Sequence, residues 1–233
     1  MATVSVGTSG FGYKEWKGRF YPQDLPDKEM LTYYASRLST VEIDSTFYRM
    51  PTTAILDAWV RAVPSGFRFV IKAPQQITHR QRLRVPSEAL SHLTSVLTVL
   101  EERLAFVAYQ LPPFSRLDLE RLQAFFEVLP LNHRSAFEFR HPSWFVPEVF
   151  ELLKRHRALL CIHDTDEGCS PEEVTATAVY VRLRRSRYSP EQREEWKARW
   201  RNWANSGLDV FAFVKHKDNP DAPRIALEFA EGF

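Results

Sequence analysis

The sequence has little of what would mark a secreted, membrane or fibrous protein. It contains 2 cysteines in 233 residues, too few for a disulfide framework and consistent with a reducing compartment. No stretch approaches the roughly 18–20 consecutive apolar residues that a membrane-spanning helix needs, so no membrane partner is expected. Lys and Arg total 31 against 29 Asp and Glu, and this balance creates no overall field that would attract a polyanion.

Motifs that would indicate a cofactor or a familiar nucleophile are also missing. No GxGxxG follows the first predicted strand, where Gly7, Gly10 and Gly12 have a different spacing. The chain has no Walker motif, no GxSxG elbow and no HxH, HExxH or DxDxDG metal motif. We therefore predict neither a cofactor nor a metal. The alternative is a divalent cation bound by the local run of His163, Asp164, Asp166 and Glu167, with His79, His141 and His216 at other strand ends.

What the sequence does contain is the composition of an ordinary globular domain. Hydrophobic residues make up 44% and charged residues 26%, which excludes disorder, collagen and coiled coil for the chain as a whole. No Gly/Ser-rich linker or change in composition divides it, so residues 1–233 are expected to form one domain. The first residues lead directly into a predicted strand without a basic region, which favours a cytoplasmic protein. A monomer is the default expectation.

Short β-branched runs alternate with longer amphipathic stripes along the chain. The predicted strands are 3–8, 40–45, 68–73, 104–111, 135–140, 158–164, 178–183 and 209–215. The predicted helices are 27–38, 52–63, 87–103, 118–129, 147–156, 189–205 and 222–233. Ser87 and Ser189 are predicted N-caps, and the spacing of Trp196, Trp200 and Trp203 predicts a stripe that faces the core. The segment 170–174 has room for a helical turn or two.

This alternation indicates the fold class. Strands that alternate with helices pair in parallel through right-handed crossovers. About eight such units in some 230 residues favour a closed α/β barrel over an open doubly wound sheet. We therefore predict a single (β/α)8 TIM barrel.

Alternation along each strand then predicts which side chains face the barrel interior. Apolar residues such as Val41 and Ile43 must meet the helices, so the residues between them turn inward. The inward-facing polar residues predicted in this way are Ser9, Glu42, Asp44, Lys72, Gln110, Glu138, Arg140, Tyr180 and Arg182. They cluster at the carboxyl ends of the strands, where barrel enzymes build active sites. The alternative is a network of ion pairs that merely fills the barrel.

The loops at the same face add cations and aromatic rings. Basic residues predicted to form this rim lie in 78–84, 184–188 and 215–217, the last including His216 and Lys217. The aromatic residues predicted there are Phe11, Tyr13, Trp16, Phe47, Tyr48 and Trp144. Gathered cations suit phosphate capture, and aromatic faces beside arginines suit stacking on a base or a sugar. The alternatives are a solvated basic rim and, for Trp144, an aromatic that pins a loop.

Several of these runs resemble the DUF72 (YecE-like) family, in order and over essentially the whole chain. The motifs that carry the resemblance are 7–13 (GTSGFGY), 16–22 (WKGRFYP), 40–48 (TVEIDSTFY), 67–69 (FRF), 72–74 (KAP), 78–79 (TH), 110–113 (QLPP), 138–145 (EFRHPSWF) and 180–183 (YVRL). The resemblance implies a TIM barrel whose biochemical role is not established. Sugar isomerases and an apurinic endonuclease are analogues at the level of fold alone.

The sequence departs from the family pattern at three places. Asp44 stands where the family usually has Asn, and Arg184-Arg185 replaces a His-Gly pair. The strand end that is rich in Asn in the family here reads 214–217 (VKHK). These changes leave Glu42, Lys72, Glu138 and Arg140 in place but make the rim more basic, so a family ligand could bind differently here.

The leading hypothesis is a barrel that binds a small phosphorylated molecule or a nucleic acid at its carboxyl-terminal face, as a phosphate-ester hydrolase or an enzyme like a sugar isomerase. Glu138 or Glu42 would be the general base, with Lys72 and Arg140 stabilising developing negative charge. The predicted ligand-binding residues are Ser9, Phe11, Tyr13, Asp44, Phe47, Tyr48, His79, Arg82, Gln110, His141, Trp144, Arg182, Arg184 and Arg187. The alternative is a nucleic-acid-binding module without catalytic activity that uses the same rim.

Overall fold

Nine strands form the sheet of the protein, which we analysed as a computed structural model that describes residues 2–215 and 220–233. The strands are β1 (Val4–Thr8), β2 (Thr40–Ile43), β3 (Arg68–Lys72), β4 (Leu104–Gln110), β5 (Ser135–Glu138), β6 (Leu159–Thr165), β7 (Gly168–Cys169), β8 (Ala178–Leu183) and β9 (Asp209–Val214). Eight of them correspond to the predicted strands. Only the two-residue β7 was not predicted, since a strand this short has no period to detect.

The eight long strands form a nearly closed parallel barrel. Their order is β1-β9-β8-β6-β5-β4-β3-β2, and β7 pairs antiparallel with β6 as a short hairpin. Between β2 and β1 a single parallel bridge joins Ser9 to Glu42, and the Gly10 amide donates to the Glu42 carbonyl at 2.7 Å. The predicted single (β/α)8 fold is confirmed.

Seven helices surround the barrel in the part of the chain that the structure describes. They are α1 (Met30–Ala35), α2 (Thr53–Ala62), α3 (Glu88–Leu97), α4 (Leu119–Glu127), α5 (Pro147–Arg155), α6 (Pro190–Asn205) and α7 (Ala222–Ala230). Ser87 and Ser189 cap α3 and α6 as predicted, the latter in a capping box with Gln192. Trp196 and Trp200 are buried against the barrel, and Trp203 is partly buried. The segment 170–174, predicted to hold a turn or two, contains no helix.

The predicted alternation of side chains is confirmed by two separate apolar layers. One lies inside the barrel and includes Val70, Phe106, Tyr180 and Phe213. The other lies between strands and helices. Among its members are Val41, Ile43, Phe69, Ile71, Phe137, Phe139, Val179, Val181 and Leu183. The polar residues between these outward-facing positions therefore point into the barrel mouth.

Short helical turns follow several strands at that mouth and were not predicted. They are Lys14–Trp16, Ser45–Phe47, Gln76–Arg80 and Pro142–Trp144. Runs of three to five residues are too short for a hydrophobic period, so sequence reasoning assigned them to loops. In the described ranges, no helix has both the length and the apolar character needed to cross a bilayer.

Candidate active site at the barrel mouth

A buried arginine bridges two carboxylates at the base of the mouth. Arg182 of β8 donates from Nη2 to Glu42 Oε1 at 2.6 Å and from Nη1 to Glu138 Oε2 at 2.5 Å. Burial alone would lower the pKa of Arg182, but the two carboxylates outweigh it and raise that pKa well above its usual value. Three strands distant in sequence are thus joined by one guanidinium group.

Glu138 of β5 accepts four hydrogen bonds, two on each oxygen. Oε2 accepts from Gln110 at 2.7 Å and from Arg182, and Oε1 accepts from Arg140 at 3.0 Å and Arg184 at 3.1 Å. A carboxylate has about four lone-pair sites, so none remains to take a proton. Burial would raise the pKa of Glu138, but the three arginines outweigh it and hold that pKa well below its usual range. Glu138 is therefore an anion near neutral pH.

Glu42 of β2 lies one layer deeper and is fully buried. Its carboxylate accepts from Ser9 Oγ at 2.9 Å, from Arg182 and from the Tyr180 hydroxyl. Burial and the Glu42 charge raise the pKa of Tyr180 well above its usual value, so Tyr180 remains a donor. Tyr180 was predicted to point inward but was not included among the site residues. Its position opposite Glu42 depends on strand order, which alternation along one strand does not give.

Lys72 is the exception among these paired charges. It ends β3, and its Nζ lies 4.4 Å from the centroid of the Phe47 ring, with no hydrogen bond or ion pair to any residue of the described ranges. The side chain is half-buried. Burial, and after it the Arg182 charge, lowers the pKa of Lys72 to about 8. A substantial fraction of this amine is therefore neutral near physiological pH.

Two imidazoles lie around Lys72 and Glu138. His79 packs edge-on to Phe47, with ring centroids 4.9 Å apart, and its Nδ1 lies 3.0 Å from the Thr78 hydroxyl. Burial and then the Lys72 charge lower the pKa of His79. His163 of β6 has a buried Nδ1 without a partner in the described part of the chain, and burial lowers its pKa as well. The lowered pKa of each ring favours its neutral form.

Aromatic and carboxylate groups from the first two strand ends form one wall of the mouth. The Tyr13 hydroxyl donates to Asp44 Oδ2 at 3.1 Å and to the Ser9 carbonyl at 3.2 Å. Burial and the neighbouring Asp44 raise the pKa of Tyr13. Phe11 is partly buried and packs against the core.

Other predicted ligand-binding residues are not brought to this cluster. Trp144 is 2% exposed, stacks on the outward-facing Phe139 at 4.5 Å and donates to the Ser115 carbonyl, so it pins a loop. His141 caps the turn Pro142–Trp144 through Ser143. The remaining three lie on the rim. Tyr48 is 77% exposed, and Arg82 and Arg187 form no ion pair with a described residue.

The basic rim is smaller than the sequence suggested. Arg184 turns inward to Glu138, and Arg185 donates to both oxygens of the buried Asp164 at 2.8 Å. Trp196 also donates to Asp164, so this carboxylate is used within the protein. His216 and Lys217 lie outside the described residues. Within the described ranges, no three His, Cys, Asp or Glu side chains are grouped closely enough to hold a metal ion.

Comparison with known proteins agrees with this architecture. The match to the family described as "Protein of unknown function DUF72" extends over residues 5–233. The chain belongs to the DUF72 family. Among DUF72 relatives, the UPF0759 protein YunF of Bacillus subtilis is 25% identical over 94% of this chain and 90% of its own. The UPF0759 protein YecE of Escherichia coli is 29% identical over 49% of this chain and 43% of its own.

Two solved DUF72 structures share the fold. A protein from Thermotoga maritima superposes with a TM-score of 0.84 at 26% identity, covering 98% of each chain. One from Enterococcus faecalis has a TM-score of 0.77 at 20% identity, covering 99% of this chain and 97% of that one. Against the DUF72 sequence pattern, two departures have a local explanation here: Asp44 accepts from Tyr13, and Arg184 supplies the fourth donor to Glu138.

Proposed function

We propose that the barrel mouth is the active site of an enzyme that acts on a small phosphorylated molecule, with Lys72 as its proton-transfer group. The observation that carries this proposal is the Lys72 amine, which has no ion-pair partner among the described residues although the charges around it are paired. A half-buried ammonium without a counter-ion is costly, and stability alone gives no reason to keep it. Groups held in this way are typical of active sites.

Charge and free donors favour an anionic substrate. Four cations, Arg140, Arg182, Arg184 and Lys72, face three carboxylates in the described part of the mouth, Glu42, Asp44 and Glu138. Arg140 and Arg184 each give one of five guanidinium N–H groups to Glu138, and both side chains are partly exposed. The remaining N–H groups of each planar guanidinium can donate two hydrogen bonds to one phosphate.

The same contacts change the roles expected for the carboxylates. Glu138 has four donors and a lowered pKa, which makes it a poor base. Glu42 is fully buried beneath Arg182. We therefore assign both a positioning role, in which they orient the arginines. Proton transfer passes to Lys72, whose pKa of about 8 suits a reaction near neutral pH.

A small ligand is favoured over a nucleic acid because two rim arginines, Arg184 and Arg185, are already bound to carboxylates of the protein. The groups that a strand could still contact are Tyr48, Phe114, Arg80, Arg82, Arg84 and Arg187. Tyr48 and Phe114 are the aromatic members of this set, whereas single-stranded nucleic acids stack on a succession of aromatic side chains. Nucleic-acid binding is therefore the alternative that the following experiment must distinguish from binding of a small ligand.

Calorimetric titration tests the proposal, with inorganic phosphate and a short single-stranded oligonucleotide as the two probes. Phosphate should bind wild type, and Arg140→Ala should weaken binding about tenfold or more through loss of a charged hydrogen bond. The matched control is Arg155→Ala, at the far end of α5, which should bind like wild type. Tight oligonucleotide binding that weakens steeply with salt, without phosphate binding, would instead support the nucleic-acid module. Binding of neither probe would overturn both hypotheses.

A further inference from the structure

We propose that Lys72 reacts covalently, forming an imine with the aldehyde or ketone group of a phosphorylated substrate. The inference rests on the proposed function and narrows its substrate class to phosphorylated carbonyl compounds. It also gives the lysine a role that a carboxylate or an imidazole at this position could not perform.

The surroundings of Lys72 differ from those of other lysines. Four of them have a carboxylate within ion-pair distance: Lys14, Lys17, Lys154 and Lys197. Lys72 has no such partner among the described residues, because the nearby carboxylates are occupied by arginines. Its Nζ instead lies against the Phe47 ring at the carboxyl end of a barrel strand. Its lowered pKa adds to the fraction of free amine.

The chemistry balances without a further reactant. The Nζ lone pair attacks the carbonyl carbon, the C–N bond forms, and the π electrons move to the oxygen. One proton passes from nitrogen to that oxygen. The second proton of the nitrogen is then transferred to the same oxygen, which leaves as water while the C=N bond forms. One water is lost, and nothing is oxidised or reduced. His79 is placed to relay these protons, since it packs on the same Phe47 ring as Lys72.

The arginines provide the second half of recognition. Arg140 and Arg184 both donate to Glu138 Oε1, so the two guanidinium groups lie side by side with N–H groups left for a ligand. A phosphate held there would keep the carbonyl end of a short molecule near Lys72, which converts a bimolecular addition into a local one. A phosphorylated carbonyl compound should therefore react faster than its unphosphorylated counterpart.

Borohydride trapping tests the inference. Wild type is incubated at pH 8 with dihydroxyacetone phosphate or glyceraldehyde 3-phosphate, and sodium borohydride reduces any imine to a stable secondary amine. Peptide mass spectrometry should find the adduct on Lys72, formed about tenfold or more faster than on other lysines. The yield of the Lys72 adduct should fall when dihydroxyacetone replaces the phosphorylated probe, and it should also fall in Arg140→Ala. It should disappear at this position in Lys72→Arg and persist in the control Lys154→Arg, whose substituted lysine lies on α5.

The outcomes separate this inference from the proposed function. If phosphate binds in the calorimeter but neither carbonyl probe modifies Lys72 above the other lysines, the imine is ruled out and the acid–base role stands. If phosphate does not bind, the proposed function fails, and a Lys72 adduct that ignores the phosphate of the probe would indicate a merely reactive amine. Equal labelling of all lysines contradicts the inference directly.

Discussion

Burial has opposite consequences for two cations of the mouth. Arg182 is buried between Glu42 and Glu138, and each of its two Nη atoms donates to one carboxylate. Lys72 is half-buried with its amine over the Phe47 ring, and no carboxylate of the described residues lies within ion-pair distance to offset the loss of water. The first arrangement holds strands together, whereas the second stores an unfavourable charge. Substitutions should therefore change stability in opposite directions.

We expect Lys72→Met to stabilise the protein at pH 7, on the order of 1–3 kcal/mol, because it removes a poorly solvated charge. The folded pKa of Lys72, about 8, lies below the unfolded value of 10.5. The cost of the ammonium is therefore complete below about pH 8 and relieved as pH rises towards 10.5, so the gain should shrink over that interval. Urea unfolding of wild type and Lys72→Met at several pH values measures this difference in the free energy of unfolding. A loss of stability at pH 7 would show that Lys72 is structural.

Glu138→Gln should be strongly destabilising, by about 3–5 kcal/mol, since it leaves three arginines without their shared anion. The folded pKa of Glu138 is lowered, so its contribution is complete above the usual value of 4.5 and is lost as pH falls below it. Wild type should therefore lose stability in acid more steeply than Glu138→Gln does. The exposed Glu120→Gln on α4 is the control. Parallel acid profiles for wild type and Glu138→Gln would contradict the account.

At the scale of elements, alternation along each strand was sufficient to place the central residues. Glu42, Lys72, Glu138 and Arg182 all lie next to apolar residues that must face helices, and the structure points them into the barrel as predicted. Apart from Arg140 to Glu138, two residues apart, the hydrogen-bond partners could not be predicted, because they lie far apart in sequence. Arg184, for example, turns inward to reach Glu138, 46 residues away.

The general-base role expected for the glutamates shows the same limit. The sequence indicates carboxylates among cations, but the number of donors that reach each oxygen depends on strand order and on the loops after each strand. Trp144 is a related case, since its stacking on Phe139 requires the turn Pro142–Trp144, which is too short to predict.

Closure of the barrel between β1 and β2 depends on Gly7. A Cβ at this position would lie 2.1 Å from the Thr40 carbonyl oxygen, a backbone atom that cannot move aside cheaply. We expect Gly7→Ala to cost about 1–3 kcal/mol or more, as overpacking does, in thermal or urea unfolding. The matched control is Gly66→Ala, whose Cβ would meet nothing within 4 Å. Equal stability of the two variants would mean that β1 and β2 are not closely packed.

At the scale of the whole molecule, near-neutrality conceals an uneven distribution of charge. The formal net charge is +2, yet the base of the mouth holds more cations than carboxylates. A cluster of this kind concentrates positive potential at the carboxyl-terminal face of the barrel. The sequence predicted this excess on a basic rim formed by the loops after three strands, whereas the structure turns Arg184 and Arg185 of that rim towards carboxylates of the protein.

The measurement that tests the central claim most directly is the pKa of Lys72 with and without inorganic phosphate. Competitive acetylation with trace acetic anhydride across a pH range, followed by peptide mass spectrometry, gives the reactivity of each lysine in the native protein. We predict that Lys72 titrates near 8 and that phosphate raises its pKa, because a bound anion stabilises the ammonium. Arg140→Ala should reduce that shift. A Lys72 that titrates near 10.5, or whose pKa does not respond to phosphate, would contradict the account.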